Sequence, residues 1–172
     1  MSIELHENVC DEKVFSKIYK KYSKDLYNFL YYKYGHSLDP MDKMQEAFIK
    51  LLSNCKNVSP DKAKSFLFKI AKNMMLNAIK HRKVILKYRE LKPKEYTHES
   101  PEFLLEHKQF LQRYQQALSM LTEDQRVAFL LNKVEKKKHA EIAEILGVTQ
   151  KAVENRIYTA YNKLKSILEG FR

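Results

Sequence analysis

The stretch Lys138–Leu164, KHAEIAEILGVTQKAVENRIYTAYNKL, reads as two short amphipathic helices hinged at one glycine. Ile142 and Leu146 form an i, i+4 apolar pair on the first, and Val153 and Ile157 repeat that spacing on the second, so the two helices share one core. Gly147 marks the break, because glycine accepts the left-handed backbone that ends a helix abruptly. Thr149 follows as an N-cap, and Ala143 is small enough for a close helix crossing. This is the pattern of a helix-turn-helix, in which the second helix enters the major groove and the first crosses the backbone. Gln150, Lys151, Glu154, Asn155, Tyr158 and Thr159 are then the outward-facing readers.

Outward from this motif, the chain is helical in composition. Of 172 residues only three are glycine and four proline, and Pro40, Pro60, Pro93 and Pro101 fall between apolar-periodic blocks. With 44% apolar residues, one ordinary domain or two small ones have material for a core. Lysine and arginine outnumber aspartate and glutamate by 32 to 21, a formal charge of +11 that favours polyanionic partners. No apolar run approaches the length of a membrane span, and MSIELHENVC carries no hydrophobic signal segment, so a cytoplasmic protein without membrane insertion is expected. Cys10 and Cys55 form no CxxC pair, which argues against a zinc finger or disulfide framework. They are expected as reduced thiols, with a single redox-sensing bridge as the alternative.

The N-terminal half supplies three more helices. Phe15, Ile18, Tyr22, Leu26, Phe29 and Leu30 recur at helical spacing within Val14–Tyr34. Asp39 and Pro40 then read as cap and first residue of a helix reaching about Ser53, with Met41, Met44, Phe48 and Leu51 inward. Asp42, Gln45, Glu46 and Ile49 form a separate stripe, polar apart from one isoleucine. After a loop from Asn54 to Lys62, a third helix puts Leu67, Ile70, Ala71, Met74 and Ala78 inward and Lys69, Lys72, Asn73, Asn77 and Lys80 outward. Ten lysines and arginines lie from Lys62 to Lys92, against Glu90 within the stretch and Asp61 just before it, so the positive charge is concentrated.

Polar residues flanked by Pro93 and Pro101 read as an interdomain linker over 93–100. Beyond it, Ser100 and Pro101 open a helix reaching about Met120, and Thr122 with Gln125 has capping-box spacing ahead of Val127, Phe129, Leu130 and Leu131. The whole reads as an all-α protein of two small helical domains joined by a flexible linker.

MQEAFIKLL and SFLFKIAKN, followed far downstream by ALSMLTEDQR and the helix-turn-helix, are carried in an order that resembles a sigma factor of bacterial RNA polymerase. More narrowly, the chain resembles the extracytoplasmic-function (ECF) class, which keeps regions 2 and 4. The resemblance implies that residues 1–92 are region 2 and residues 101–172 region 4. It implies that Asp42, Gln45, Glu46 and Ile49 dock on RNA polymerase core. The loop and helix from Asn54 to Lys80 would recognise and open the minus-ten promoter element. A base taken out of the stack needs apolar contact and hydrogen bonds, and the emerging strand needs cations along its backbone. Phe66, Ser65, Asn73 and Asn77 suit the first demand, and Lys62, Lys64, Lys69, Lys72 and Lys80 the second. In the recognition helix, Lys151, Arg156 and Lys163 are available for minus-thirty-five phosphates, although Arg156 has a neighbouring acid as a competing partner. Glu154, Asn155, Tyr158 and Thr159 are available for base edges. The apolar surface around Phe129 and Leu130 is expected to hold the polymerase's flap tip, and an anti-sigma factor is a possible partner.

Three departures stand out. Lys136, Lys138 and His139 occupy positions where the family usually has glycine, serine and an aromatic, which removes an N-cap worth about 1 kcal/mol. Lys43 replaces a usual aliphatic, and Phe66 stands where tryptophan or tyrosine is common. A stand-alone helix-turn-helix regulator is the competing function. An enzyme is not expected, since the glycines are too scattered for a phosphate loop and Glu95 with His98 has no second half of a metal site. No cofactor or metal is implied.

Overall fold

The computed structural model describes residues 8–78 and 101–168, with backbone alone for 101–104. It divides the chain into two compact units, with seven α-helices and two 3-10 turns among the described residues. The expected linker at 93–100, Lys80 and the Glu95–His98 pair lie outside the described residues.

The first unit is a three-helix bundle. Asp11 caps α1 (Glu12–Tyr34), its Oδ1 accepting from the N–H groups of Lys13 at 2.8 Å and Val14 at 3.2 Å. Asp39 caps α2 (Pro40–Ser53) by accepting from the N–H of Asp42 at 3.3 Å, with Pro40 at the first helical position. The helix α3 (Ala63–Ala78) follows a 3-10 turn at Pro60–Lys62. Leu26, Phe29 and Leu30 of α1, Met44, Ala47, Phe48 and Leu51 of α2, and Leu67, Phe68, Ala71 and Met75 of α3 fill the core. Aromatic contacts join the helices: Phe29 and Phe68 lie 5.4 Å apart, Tyr19 and Phe48 4.8 Å.

Two expected faces are displaced. On α3 the buried row is Ala63, Leu67, Phe68, Ala71 and Met75, whereas Ile70 and Met74 are half-buried and Ala78 exposed. The run is apolar at consecutive positions, so a rotation of one residue satisfies the pattern equally well, and tertiary packing chooses. Met41, expected inside, is 46% exposed. The cysteines also depart from expectation. Cys10 and Cys55 are joined in a disulfide, with Cα atoms 5.0 Å apart. Folding α2 back along α1 brings the turn before α1 against the turn after α2, a proximity that a sequence separation of 45 conceals.

In the second unit α4 (Pro101–Ser119), α5 (Glu123–Lys133) and α6 (His139–Leu146) all pack against α7 (Gln150–Ile167), and α6 also meets α5. The Thr122–Gln125 capping box forms, each bond 3.3 Å. Val127 through Leu131 are buried on every side, Phe129 to 1% and Leu130 to 4% exposure. The expected flap-holding surface at Phe129 and Leu130 is therefore absent from this arrangement: both residues serve the unit's own core. Arg126 is buried too, its Nη1 donating to the carbonyl of Leu121 at 3.3 Å. Burial lowers its pKa from the ordinary value, with Glu123 opposing.

The turn between α6 and α7 matches expectation. Gly147 takes φ 65° and closes α6 through its N–H on Ala143, and Thr149 accepts from the N–H of Ala152 at 3.2 Å. Between α5 and α6, Lys136 takes φ 57°, a left-handed conformation that side chains resist. Lys138 has no acceptor to cap α6, but Glu141 reaches back to the Lys138 N–H at 2.7 Å, so half of the reciprocal box survives.

Candidate functional site

Three surfaces carry the candidate functional residues. The first is the outward face of α2. Gln45 is exposed, and Ile49 is 64% exposed. Met41 and Leu52, at 46% and 49%, continue the same helical row, a contribution that the periodicity of α2 concealed by assigning Met41 to the core. Exposed large apolar side chains at i, i+8 and i+11, with Gln45 at i+4 between them, form an anchor row suited to another helix. Its acidic members are engaged locally. Lys43 Nζ lies 3.2 Å from Asp42 and 2.9 Å from Glu46, and Lys50 lies 3.5 Å from Glu46. The hydrogen bond from Lys43 lowers the Glu46 pKa, while bonds to Glu46 and then Asp42 raise that of Lys43.

The second surface is a recess of about 290 Å³ lined by Asn57, Val58, Lys62, Ser65, Phe66 and Lys69. That volume stands near the lower bound of small-ligand pockets, roughly 300 Å³. Phe66 is half-buried in the lining, and Lys62 and Lys69 bring cations to it. The wall is built by α3 and the loop before it. Ser65 Oγ donates to the Lys62 carbonyl at 3.0 Å, and the Lys62 N–H donates to Ser59 at 3.0 Å. Asp61 beside it is held below its ordinary carboxylate pKa, chiefly by a hydrogen bond from Ser59. Along the same helix Lys72, Asn73 and Asn77 are exposed, as expected for a strand-tracking face, and Lys64 is half-buried and engaged within the fold. Asn57 and Val58 add to the predicted set; their place in the Asn54–Lys62 loop was the available signal.

The third surface is the outward face of α7. Gln150, Lys151, Glu154, Asn155, Tyr158, Thr159 and Lys163 are all exposed, Tyr158 to 70%. Arg156 is turned away: its Nη2 lies 2.9 Å from Asp124 Oδ2 of α5, and it braces the two helices. Glu154 lies 3.6 Å from Lys151 and 3.9 Å from His139 at the start of α6. The Thr159 hydroxyl donates to the carbonyl of Asn155 at 2.8 Å, which leaves its lone pairs outward. Among the described residues no group of three or more His, Cys, Asp or Glu is placed to hold a metal, and no helix is long and apolar enough to cross a membrane.

A helix-turn-helix with an exposed polar face, accompanied by a separate helical unit with a lysine-lined recess, is the layout of a DNA-binding protein of two modules. Residues 18–84 match Sigma-70 region 2 and residues 111–164 match Sigma-70, region 4. The chain belongs to the sigma-70 family of transcription initiation factors, with the two-region layout of its ECF class. It is 24% identical over 154 residues to the ECF RNA polymerase sigma factor SigM of Bacillus subtilis (strain 168), covering 88% of this chain and 93% of that one. In fold it is similar to the sigma factor RpoE of Bartonella quintana, seen in complex with the anti-sigma factor NepR. That likeness has a TM-score of 0.58 at 19% identity and covers 93% of this chain and 99% of the other.

Proposed function

We propose that the chain directs RNA polymerase core to promoters by a division of labour among these three surfaces. The outward face of α2 seats on the polymerase, with Ile49, Met41 and Leu52 as apolar anchors and Gln45, Asp42 and Glu46 as polar register. The recess at Phe66 takes a base drawn from the minus-ten element, with Lys62 and Lys69 at its rim and Lys72, Asn73 and Asn77 along the strand. The exposed face of α7 enters the major groove of the minus-thirty-five element. The observation that carries this reading is the recess itself. A helix-turn-helix regulator acting without polymerase has no use for an aromatic-walled, cation-rimmed pocket on a second unit. Working on polymerase places the protein in the cytoplasm. Control by an anti-sigma factor, such as the one the Bartonella sigma factor is seen in complex with, is the regulatory arrangement that the exposed α2 face would suit.

The test is reconstitution. Full-length protein added to core polymerase should give specific initiation on a promoter from its own genome, and Ile49→Asp should weaken core binding without altering duplex binding by α7. A protein that binds promoter duplex well alone yet never associates with core would establish the stand-alone regulator instead.

A further inference from the structure

We propose that Cys10 and Cys55 form a thiol–disulfide modification site that tightens the recess at Phe66 when oxidised, its reactant being a low-molecular-weight disulfide. The inference rests on the reading of that recess as the minus-ten pocket. These are the two cysteines of the chain, and their Cα separation of 5.0 Å falls within the roughly 4.4–6.8 Å that a bridge spans. Packing of α1 along α2, independent of sulfur, brings the two turns together, and local contacts hold the shape of each. On one side Val9 is fully buried, the Cys10 N–H donates to Asn8 Oδ1 at 3.0 Å, and the Asp11 N–H donates to the Asn8 carbonyl at 2.9 Å. On the other, the Cys55 N–H donates to Leu52 at 3.2 Å and the Asn57 N–H to Asn54 at 2.9 Å. The two thiols therefore remain within reach of each other after reduction.

The position of Cys55 couples the bond to DNA. It stands two residues before Asn57 and three before Val58, both in the recess wall. Bridged, the near end of the loop is fastened to the turn before α1, and the wall meets the base already ordered. Reduced, the loop keeps its approach to the turn before α1 but has more local freedom, which it gives up at the moment of binding. Exposure assigns the chemical order: Cys10 is exposed and Cys55 half-buried. The Cys10 thiolate attacks the small disulfide, forming a mixed disulfide and expelling one small thiolate. The Cys55 thiolate then attacks Cys10 Sγ and expels the second. Two protein thiols lose two protons and two electrons, and one small disulfide becomes two thiols. A small dithiol reverses the sequence.

Two measurements test this on the full chain. Intact mass after maleimide labelling, in buffers of graded glutathione to glutathione disulfide ratio, reads the bond directly. The expected result is a two-thiol to no-thiol transition without a stable intermediate. Fluorescence anisotropy with a single-stranded minus-ten oligonucleotide and core polymerase reads the consequence, with about three- to tenfold tighter binding expected for the oxidised protein. The Cys10→Ser/Cys55→Ser double variant should match the reduced protein and ignore the buffer, which controls for effects on the polymerase. Failure of the thiols to pair, with normal core binding, overturns the inference alone, as does equal oligonucleotide binding in both states. Pairing without any binding to core or strand overturns the inference together with the proposed function.

Discussion

Replacing Lys136 with glycine should make the second unit more stable, although it deletes a side chain and adds none. Lys136 sits at φ 57° in the turn between α5 and α6. A residue with a Cβ pays about 1–2 kcal/mol for that conformation, and glycine adopts it without penalty. Glycine also frees the unfolded chain, which returns about 0.4–1 kcal/mol to the unfolded state. The difference leaves a net gain of about 0.5–1 kcal/mol, or roughly 2–8 °C in Tm for a unit of this size. The turn keeps its other supports, since the Lys137 N–H still donates to Leu131 at 3.1 Å and Asn132 still donates to the Lys137 carbonyl at 3.0 Å. Gly147→Ala supplies the mirror test. It places a Cβ at φ 65°, and nothing lies within 4 Å of that atom, so the loss, again about 1 kcal/mol, is purely conformational. Lys137→Gly is the control, because Asp39 and Lys136 are the non-glycine residues with positive φ among the described residues. Urea titration followed by hydrogen exchange of the α5 and α6 amides assigns the change to this unit. The reasoning fails if Lys136→Gly is no more stable than the parent, or if Lys137→Gly stabilises as much.

Three further outcomes are expected. Phe66→Ala should weaken minus-ten single-strand binding by about 1–3 kcal/mol, roughly 5- to 150-fold, while gel shifts with minus-thirty-five duplex stay unchanged. Arg156 and Asp124 should show a coupling of about 0.5–1 kcal/mol in a double-mutant cycle of stability, a modest figure because Asp124 is half in solvent; no coupling would return Arg156 to the phosphates. Lys43→Met should move the Glu46 carboxyl titration, followed by NMR, upward towards the ordinary value, because the Lys43 hydrogen bond is the main cause of its depression. Any stabilisation from that pairing is present above the unfolded carboxylate pKa and lost as pH falls through the depressed one, so the variant should differ from the parent at neutral pH and converge in acid.

Features written in local chemistry were legible in the sequence. The Thr122–Gln125 box, the Asp39–Pro40 start and the Gly147 stop each depend on residues within four positions of one another, and each forms as expected. The outward face of α7 was legible for the same reason, since polar residues alternate cleanly with Val153, Ile157, Ala160 and Leu164. What escaped depends on packing between distant segments. The run from Phe66 to Leu76 is apolar at too many adjacent positions for periodicity to choose Phe68 and Met75 over Ile70 and Met74. Phe129 and Leu130 read as a candidate surface because nothing local says that α6 and α7 close over both sides of α5. The meeting of Cys10 with Cys55 is a property of the α1–α2 hairpin, not of either neighbourhood. The recess needed the fold for Asn57 and Val58, whereas Phe66, Ser65, Lys62 and Lys69 of its lining are singled out by the family resemblance.

The contacts around Glu154 bear on how ionic strength governs DNA binding. Affinity for DNA falls with salt because each cation meeting a phosphate releases condensed counterions, with a slope of about 0.9 per phosphate neutralised. On the proposed reading Lys151 would enter the groove with a carboxylate already 3.6 Å away, and His139 shares that carboxylate at 3.9 Å. Part of its charge is balanced internally before the duplex arrives, so the exchange of ions is smaller than a count of lysines on α7 suggests. The minus-thirty-five half should therefore lose affinity more gently with added salt than its basic surface implies, and Glu154→Gln should steepen that dependence by up to about one unit of slope. If α7 reads DNA as proposed, a carboxylate on that face would buffer binding against changes in ionic strength.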